Sequence, residues 1–341
     1  MIKSVRIRQV HTDSLSCEPI LRRTENGELL CVCQCDGTCD LRPDNRTYVF
    51  HSKDNGETWS EGERLYPEDG RAVYCTEVSV DRNEITAYIS VHNGYMFDWK
   101  CVMMKSFDNG YTWEEFGAPP HLTEYTLIRS RIRTSKNDLI IPYQHYTVTE
   151  EQKKAVAKDD SLERKALWHT GAKYCESGVL ISCDNGKSYQ RYVAAQTETT
   201  MKDIIWSEPT VVELSDGRIA MLMRRDGSGW LWYAESSDGG KSWSDTVKTD
   251  IPNPSNKPKL IGLEDGKIAL LHTPNGNLGQ RFPLSLWISS DNMRTWEFKT
   301  ALTDFPGQYS YCGGFYENGH IMFTVEHNRH TVLFFDVELQ K

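Results

Sequence analysis

Seven polar residues stand just ahead of short apolar runs along this chain: Glu18, Glu77, Arg129, Arg131, Glu208, Lys257 and Tyr309. They combine carboxylates, cations and a phenol. Carboxylates and phenols move protons, and cations hold anions, so the set has the makings of acid–base chemistry on a charged small molecule. A second group, Tyr143, His145 and His92, carries side chains able to act as the base in an elimination. Neither group works unless the fold brings its members together. Metal chemistry has weaker credentials: Cys31, Cys33, Cys35 and Cys39 crowd one stretch, but the first three alternate along a strand onto one face, as small core residues do. The Asp-rich turns lack the spacing and distal Glu of a calcium loop, and no metal or other cofactor is implied.

The elements that must position these residues repeat. Five segments read Ser-x-Asp-x-x-x-(Thr/Ser)-aromatic: SKDNGETW from Ser52, SFDNGYTW from Ser106, SCDNGKSY from Ser182, SSDGGKSW from Ser236 and SSDNMRTW from Ser289. Ser and Asp tie down their own turn, Gly takes a left-handed conformation, and the aromatic packs between neighbouring sheets. The last segment has Met293 where the others have Gly, a substitution that strains such a turn. This is the Asp-box, or BNR, repeat. A second series runs in phase with it: ENGELLCVC, DRNEITAYI, SKNDLIIPY, SDGRIAMLM, EDGKIALLH and ENGHIMFTV, anchored at Gly27, Asn83, Asn137, Gly217, Gly266 and Gly319.

Each member of that second series is a polar turn followed by an apolar strand, and each predicts one four-stranded blade. An all-β, six-bladed propeller over residues 1–341 follows, as a single domain. Its blades would set the polar residues listed first around one funnel. The long interval between Asn137 and Gly217 holds an insertion, about Thr147 to Trp168, that is charged and rich in helix formers and predicts a short helix over one rim. The opening SVRIRQVH and the closing HTVLFFDVEL both read as strands and are expected to share the last blade, leaving no long free edge.

Net charge is -9, with 39 basic against 48 acidic residues, and no Lys/Arg-rich run stands out, which argues against nucleic acid as a partner. The N-terminal stretch alternates apolar and charged residues without a signal-like core, and no run is long enough to span a membrane. A cytoplasmic protein that does not partner membranes, with its ten cysteines reduced, is the expectation.

Beyond the repeats, three stretches resemble the sialidase (neuraminidase) superfamily. WSEPTVVELSDGRIAMLMRR is similar to the segment in which a glutamate opens blade four and an arginine ends its second strand, matching Glu208 and Arg224. HTPNGNLGQRFPLSLWISSDN resembles the segment whose arginine precedes the last Asp box, matching Arg281, and QYSYCGGFYENGHIMFTVEH resembles the final blade, whose Tyr-Ser pair supplies the nucleophile, matching Tyr309. The resemblance implies an exo-acting glycoside hydrolase that releases a terminal acidic sugar, sialic acid or a similar one, from a glycan, with retention through a tyrosyl intermediate. Tyr309 would attack, Glu208 would take its proton, and Arg224 and Arg281 would hold the substrate carboxylate. A neutral phenol avoids the repulsion that a carboxylate nucleophile would meet there. The general acid would be Asp40 or Asp44, in the loop DGTCDLRPDNR, with Asp40 preferred on spacing. Glu18, Glu77, Arg129 and Arg131 would line the substrate site.

The chain departs from that family at the start of blade one, where CEPILRR puts Cys17 in the place of the first arginine of an Arg-Ile-Pro motif. Arg22 and Arg23 lie nearby, and Asp36 stands where a further arginine is usual. Two other readings keep the fold but change the function: a lyase or hydrolase of uronate- or rhamnose-containing polysaccharides using Tyr143, His145 or His92, and a glycan-binding propeller without catalysis.

Overall fold

The turn–strand units do close into a ring. In a computed structural model, which describes residues 2–158, 172–199 and 206–340, six antiparallel sheets form, each from successive segments of the chain apart from the one closing pair. Blade one, for example, runs Ser16–Arg23, Leu29–Cys35, Arg46–Ser52 and Glu63–Arg64 from the axis outward. The closing pair is Ile2–Thr12 against Thr331–Leu339, so the first strand of the chain becomes the outermost strand of blade six. Both ends of the described chain therefore lie in one sheet, as the strand patterns predict.

The Asp boxes form as expected. In the second, the Ser106 hydroxyl accepts the Gly110 N–H at 2.8 Å, and Asp108 accepts the N–H groups of Tyr111 (3.1 Å) and Thr112 (2.9 Å). The indole of Trp113 donates to the Gly110 carbonyl at 2.9 Å, which turns the ring inward against the apolar layer between blades one and two. Met293 adopts φ 65° and still donates to Ser289 at 2.9 Å; the turn is kept at the cost of a strained residue. Apolar layers between adjacent blades make up the core. Cys31, Cys33 and Cys35 all belong to the layer facing Met322, Val332 and Phe334 of blade six, while Leu30 and Val32 on the opposite face meet Val73 and Ile89 of blade two.

The insertion after blade three's second strand starts as a helix, Glu150–Ala157, capped at Thr149 by a reciprocal bond pair with Gln152 and anchored by buried Val156 and by the Lys153–Glu124 ion pair at 2.6 Å. The rest of the predicted helical stretch, from 159 to 168, lies outside the described residues. No helix among the described residues is long and apolar enough to cross a membrane.

Candidate active site

Near the start of three innermost strands one residue takes left-handed backbone: Glu18 (φ 49°), Glu208 (φ 37°) and Tyr311 (φ 58°). None is Gly or Asn, so each costs conformational energy that the surroundings must offset. Two of them sit in the same device. In blade one Cys17 pairs with Gln34 and Ile20 with Val32, so Glu18 and Pro19 together oppose Cys33. In blade six Ser310 pairs with Glu326 and Gly313 with Thr324, so Tyr311 and Cys312 oppose Val325. Such a bulge re-aims a side chain that would otherwise follow the strand's alternation. Side chains of the preceding blade hold the bent backbone: Glu326 accepts the Glu18 N–H at 3.1 Å, and Gln144 accepts the Glu208 N–H at 2.8 Å. The strain is thus built in by the ring.

Glu208 is buried and doubly paired, at 2.7 Å from Arg224 Nη1 and 3.4 Å from Arg129 Nη2. Burial alone would raise its carboxyl; the charges of Arg224, Arg129 and Lys257 outweigh it and bring the group down to about 2. Arg129 reaches the axis because blade three's first strand is broken into Thr126–Ile128 and Ile132–Arg133, with Arg129 in the gap. Asp226 fixes the other side of Arg224 at 2.6 Å. Arg281 comes from the loop before Ser285–Ser289, donates to Ser310 Oγ and the Ser255 carbonyl at 2.8 Å each, and lies 5.9 Å from the centre of the Tyr311 ring. The Lys257 ammonium stands 5.0 Å from that centre. Burial and the charges of Glu208 and Glu18 hold the Tyr311 phenol well above its ordinary value, against the pull of Arg224 and Arg281. Glu18 is pushed up to about 7 by burial and by Asp40, with Arg129 and Lys257 opposing. One phenol thus stands among two carboxyls shifted in opposite directions, with arginines on its flank.

Asp40 belongs to the same cluster. Its Oδ1 accepts the Tyr74 hydroxyl at 2.7 Å and its Oδ2 is ion-paired with Arg329. Asp44, in the same loop, is exposed, whereas Asp40 is partly buried and held by these partners.

Several expected positions are corrected. Tyr309 does not face Glu208: its ring is wholly buried, stacked on His327 at 4.9 Å, and its hydroxyl donates to the Phe305 carbonyl at 2.9 Å. Tyr309 precedes the bulge and points into the layer between blades five and six; Tyr311, inside the bulge, turns to the funnel. Arg131 is also misplaced. It donates to the Val80 carbonyl at 2.8 Å and pairs with Asp81 at 3.8 Å, in the outer cleft between blades two and three. Glu77 is at the axis but deep, ion-paired with Arg22. Arg23 turns outward to Glu317, and Asp36 accepts the Tyr48 hydroxyl at 3.0 Å on the blade's edge.

The proposed elimination set is dispersed. Tyr143 donates to Glu176 at 2.6 Å inside a blade interface, His145 bonds Thr126 Oγ1 at 2.8 Å, and buried His92 accepts the Gly94 N–H at 3.0 Å while stacking on Tyr74. Burial lowers His92 to about 3 and His145 to about 4, so both are neutral structural partners at ordinary pH. Among the described residues no cluster of His, Cys, Asp and Glu is placed to share a metal ion.

Comparison with known proteins bears on the family and the fold. The family described as BNR repeat-like domain matches residues 74–321, and the BNR/Asp-box repeat matches residues 50–61. The chain belongs to the sialidase superfamily of BNR-repeat propellers. It is 25% identical over 203 residues to a sialidase of Bacteroides fragilis and 26% identical over 210 residues to one of Paraclostridium sordellii. Those matches take in 57% and 56% of this chain but only 33% and 48% of the two sialidases, so this superfamily member spans a minor part of those relatives. Among solved structures, the Hadza microbial sialidase Hz136 superposes with a TM-score of 0.74 at 17% identity, over 95% of this chain and 66% of that one. Trypanosoma rangeli sialidase in complex with the inhibitor DANA gives 0.66 at 17%, over 97% and 56%. A Dyadobacter fermentans protein of unknown function gives 0.72 at 16%, over 99% and 100%. At these identities the superpositions speak for the fold.

Proposed function

We propose that the chain is an exo-acting glycoside hydrolase that releases a terminal acidic sugar with retention of configuration, using Tyr311 as nucleophile. The observation that carries this reading is the convergence of Tyr311, Glu208, Arg224 and Arg281 at one end of the propeller axis. A binding protein does not require a strained phenol beside a buried, doubly paired carboxylate. In the proposed cycle the sugar's carboxylate docks on Arg224 and Arg281 by charge-assisted bonds. The Tyr311 oxygen attacks the anomeric carbon, its proton passes to Glu208, and the leaving oxygen takes a proton from Asp40. Water, deprotonated by Asp40, then displaces Tyr311 from the same carbon, and Glu208 returns its proton to the leaving phenolate. Glu208 is a weak base while Arg224 and Arg129 hold it; a substrate carboxylate on Arg224 shares that cation and raises the basicity of Glu208 as the reaction needs it.

Parallel hydrolysis of aryl sialosides, uronides and rhamnosides identifies the substrate, and proton NMR of the first-formed anomer reads the stereochemistry. Tyr311→Phe is expected to lower kcat by orders of magnitude with little change in ground-state binding. Tyr309→Phe should leave kcat nearly unchanged. Full activity in Tyr311→Phe, or an inverted first product, refutes the tyrosyl mechanism.

A further inference from the structure

Blade one offers no cation at its Cys17 position, yet the structure brings one there from elsewhere. Arg329 is the middle residue of the three-residue turn between His320–His327 and Thr331–Leu339, where Asn328 and Arg329 have φ 55° and 61°. Its Nη2 lies 3.8 Å from the Cys17 sulfur and pairs with Asp40 Oδ2, and its Nη1 is 3.8 Å from Glu326 Oε1. Glu326 is fully buried; one oxygen takes the Glu18 N–H, and the other, Oε1, has no hydrogen-bond donor. A buried carboxylate in that condition demands a cation nearby, and Arg329 is the one that Glu326 faces. The arginine side chain is nonetheless 33% exposed, so a ligand entering the funnel can reach its guanidinium.

We propose that Arg329, carried on the last hairpin rather than on blade one, is the third cation that binds the substrate's carboxylate, and that it exchanges Asp40 for that carboxylate when substrate enters. The inference rests on the acidic-sugar reading above. Glu326 keeps the guanidinium near Cys17 while Asp40 lets go, because a single planar guanidinium has donors for both. The exchange also has a consequence for the site: it frees the Asp40 carboxyl, now paired with Arg329, once substrate is seated.

Calorimetric titration of the whole chain with DANA tests this. Arg329→Gln and, as a second variant, Arg329→Ala should bind about 10- to 100-fold more weakly than the wild type, the cost of one charged hydrogen-bonding partner. Cys17→Arg in the Arg329→Gln background should recover much of the loss. Asp40→Asn removes the internal competitor, so it should tighten DANA binding about 3- to 10-fold, and that gain should vanish when Arg329 is also replaced. Wild-type affinity in both folded Arg329 variants, or an Asp40→Asn gain that persists without Arg329, overturns the inference while leaving the acidic-sugar reading intact. A wild type that binds neither DANA nor glucuronate overturns both together.

Discussion

Removing the charge of Glu18 should change stability in a way that depends on pH, and the structure gives the sign. Burial first, and the Asp40 charge second, move this carboxyl from 4.5 to about 7, against Arg129 and Lys257, with Glu208 adding to the rise. Below pH 4.5 the group is protonated whether the chain is folded or not and contributes no pH-dependent term. Between 4.5 and 7 the unfolded chain releases the proton that the folded chain keeps, so the stability associated with that proton is lost progressively as pH rises through this window. The full shift corresponds to at most about 3 kcal/mol, and because the side chain is only half-buried, solvent screening reduces the expected value to about 1–2 kcal/mol. Glu18→Gln has no proton to lose. Urea unfolding of the wild type and the variant at pH 5 and pH 8 should therefore show the variant gaining about 1–2 kcal/mol relative to the wild type at the higher pH. An equal difference at the two pH values, or a relative loss at pH 8, would refute the placement of the half-buried Glu18 carboxyl beside Asp40.

Five further variants test the packing. Gly56→Ala should destabilise by about 2–4 kcal/mol in thermal unfolding, because its new Cβ would fall 2.3 Å from the Phe334 ring at φ 89°; Gly27→Ala, at φ 88° with open space around it, should cost only about 1 kcal/mol. Tyr309→Phe deletes the bond to the Phe305 carbonyl and should cost about 1–2 kcal/mol by the same measurement. Glu208→Gln strips the counter-charge from Arg224 and Arg129 and should lower stability by about 3 kcal/mol in urea unfolding at neutral pH. Asp238→Ala frees the N–H groups of Lys241 and Ser242 that its carboxylate accepts and should cost about 1–2 kcal/mol, local to blade four in hydrogen exchange.

The ring was legible because its signal is periodic. A polar turn every 50 residues or so places one apolar strand per blade, and the Ser-x-Asp turn identifies which hairpin it closes, so even Met293 disturbs only one residue's strain. Glu208 and Arg224 were legible for a related reason: they flank the same turn–strand unit, and antiparallel pairing across that unit brings the two back to the axis. Arg131 failed the same logic. It sits two residues beyond Arg129, where an unbroken strand would carry both to one side, but the break between Ile128 and Ile132 sends Arg129 to the axis and Arg131 to the outer cleft.

Tyr309 and Tyr311 show where reading by alternation must stop. Two residues apart on a regular strand, both phenols would share a face and either could serve. The bulge opposite Val325 breaks that equivalence, and nothing in QYSYCGGF announces it except the pair Gly313 and Gly314, whose hypothetical Cβ atoms would fall 2.4 Å from the Pro19 carbonyl and 2.1 Å from the Met322 carbonyl. Gly313 lets blade six press against blade one, and Gly314 lets the distorted strand lie close on its own neighbour, His320–His327. The same contact explains why Arg329 could not be anticipated. Its place is set neither by its own strand nor by any motif, but by the seating of the last hairpin beside Cys17 and Asp40, a relation between the first and last blades that exists only once the ring has closed. Residues that act through one blade's register are open to inference from sequence; those that act across the closure are fixed by tertiary contact alone, and in this chain the third cation is one of them.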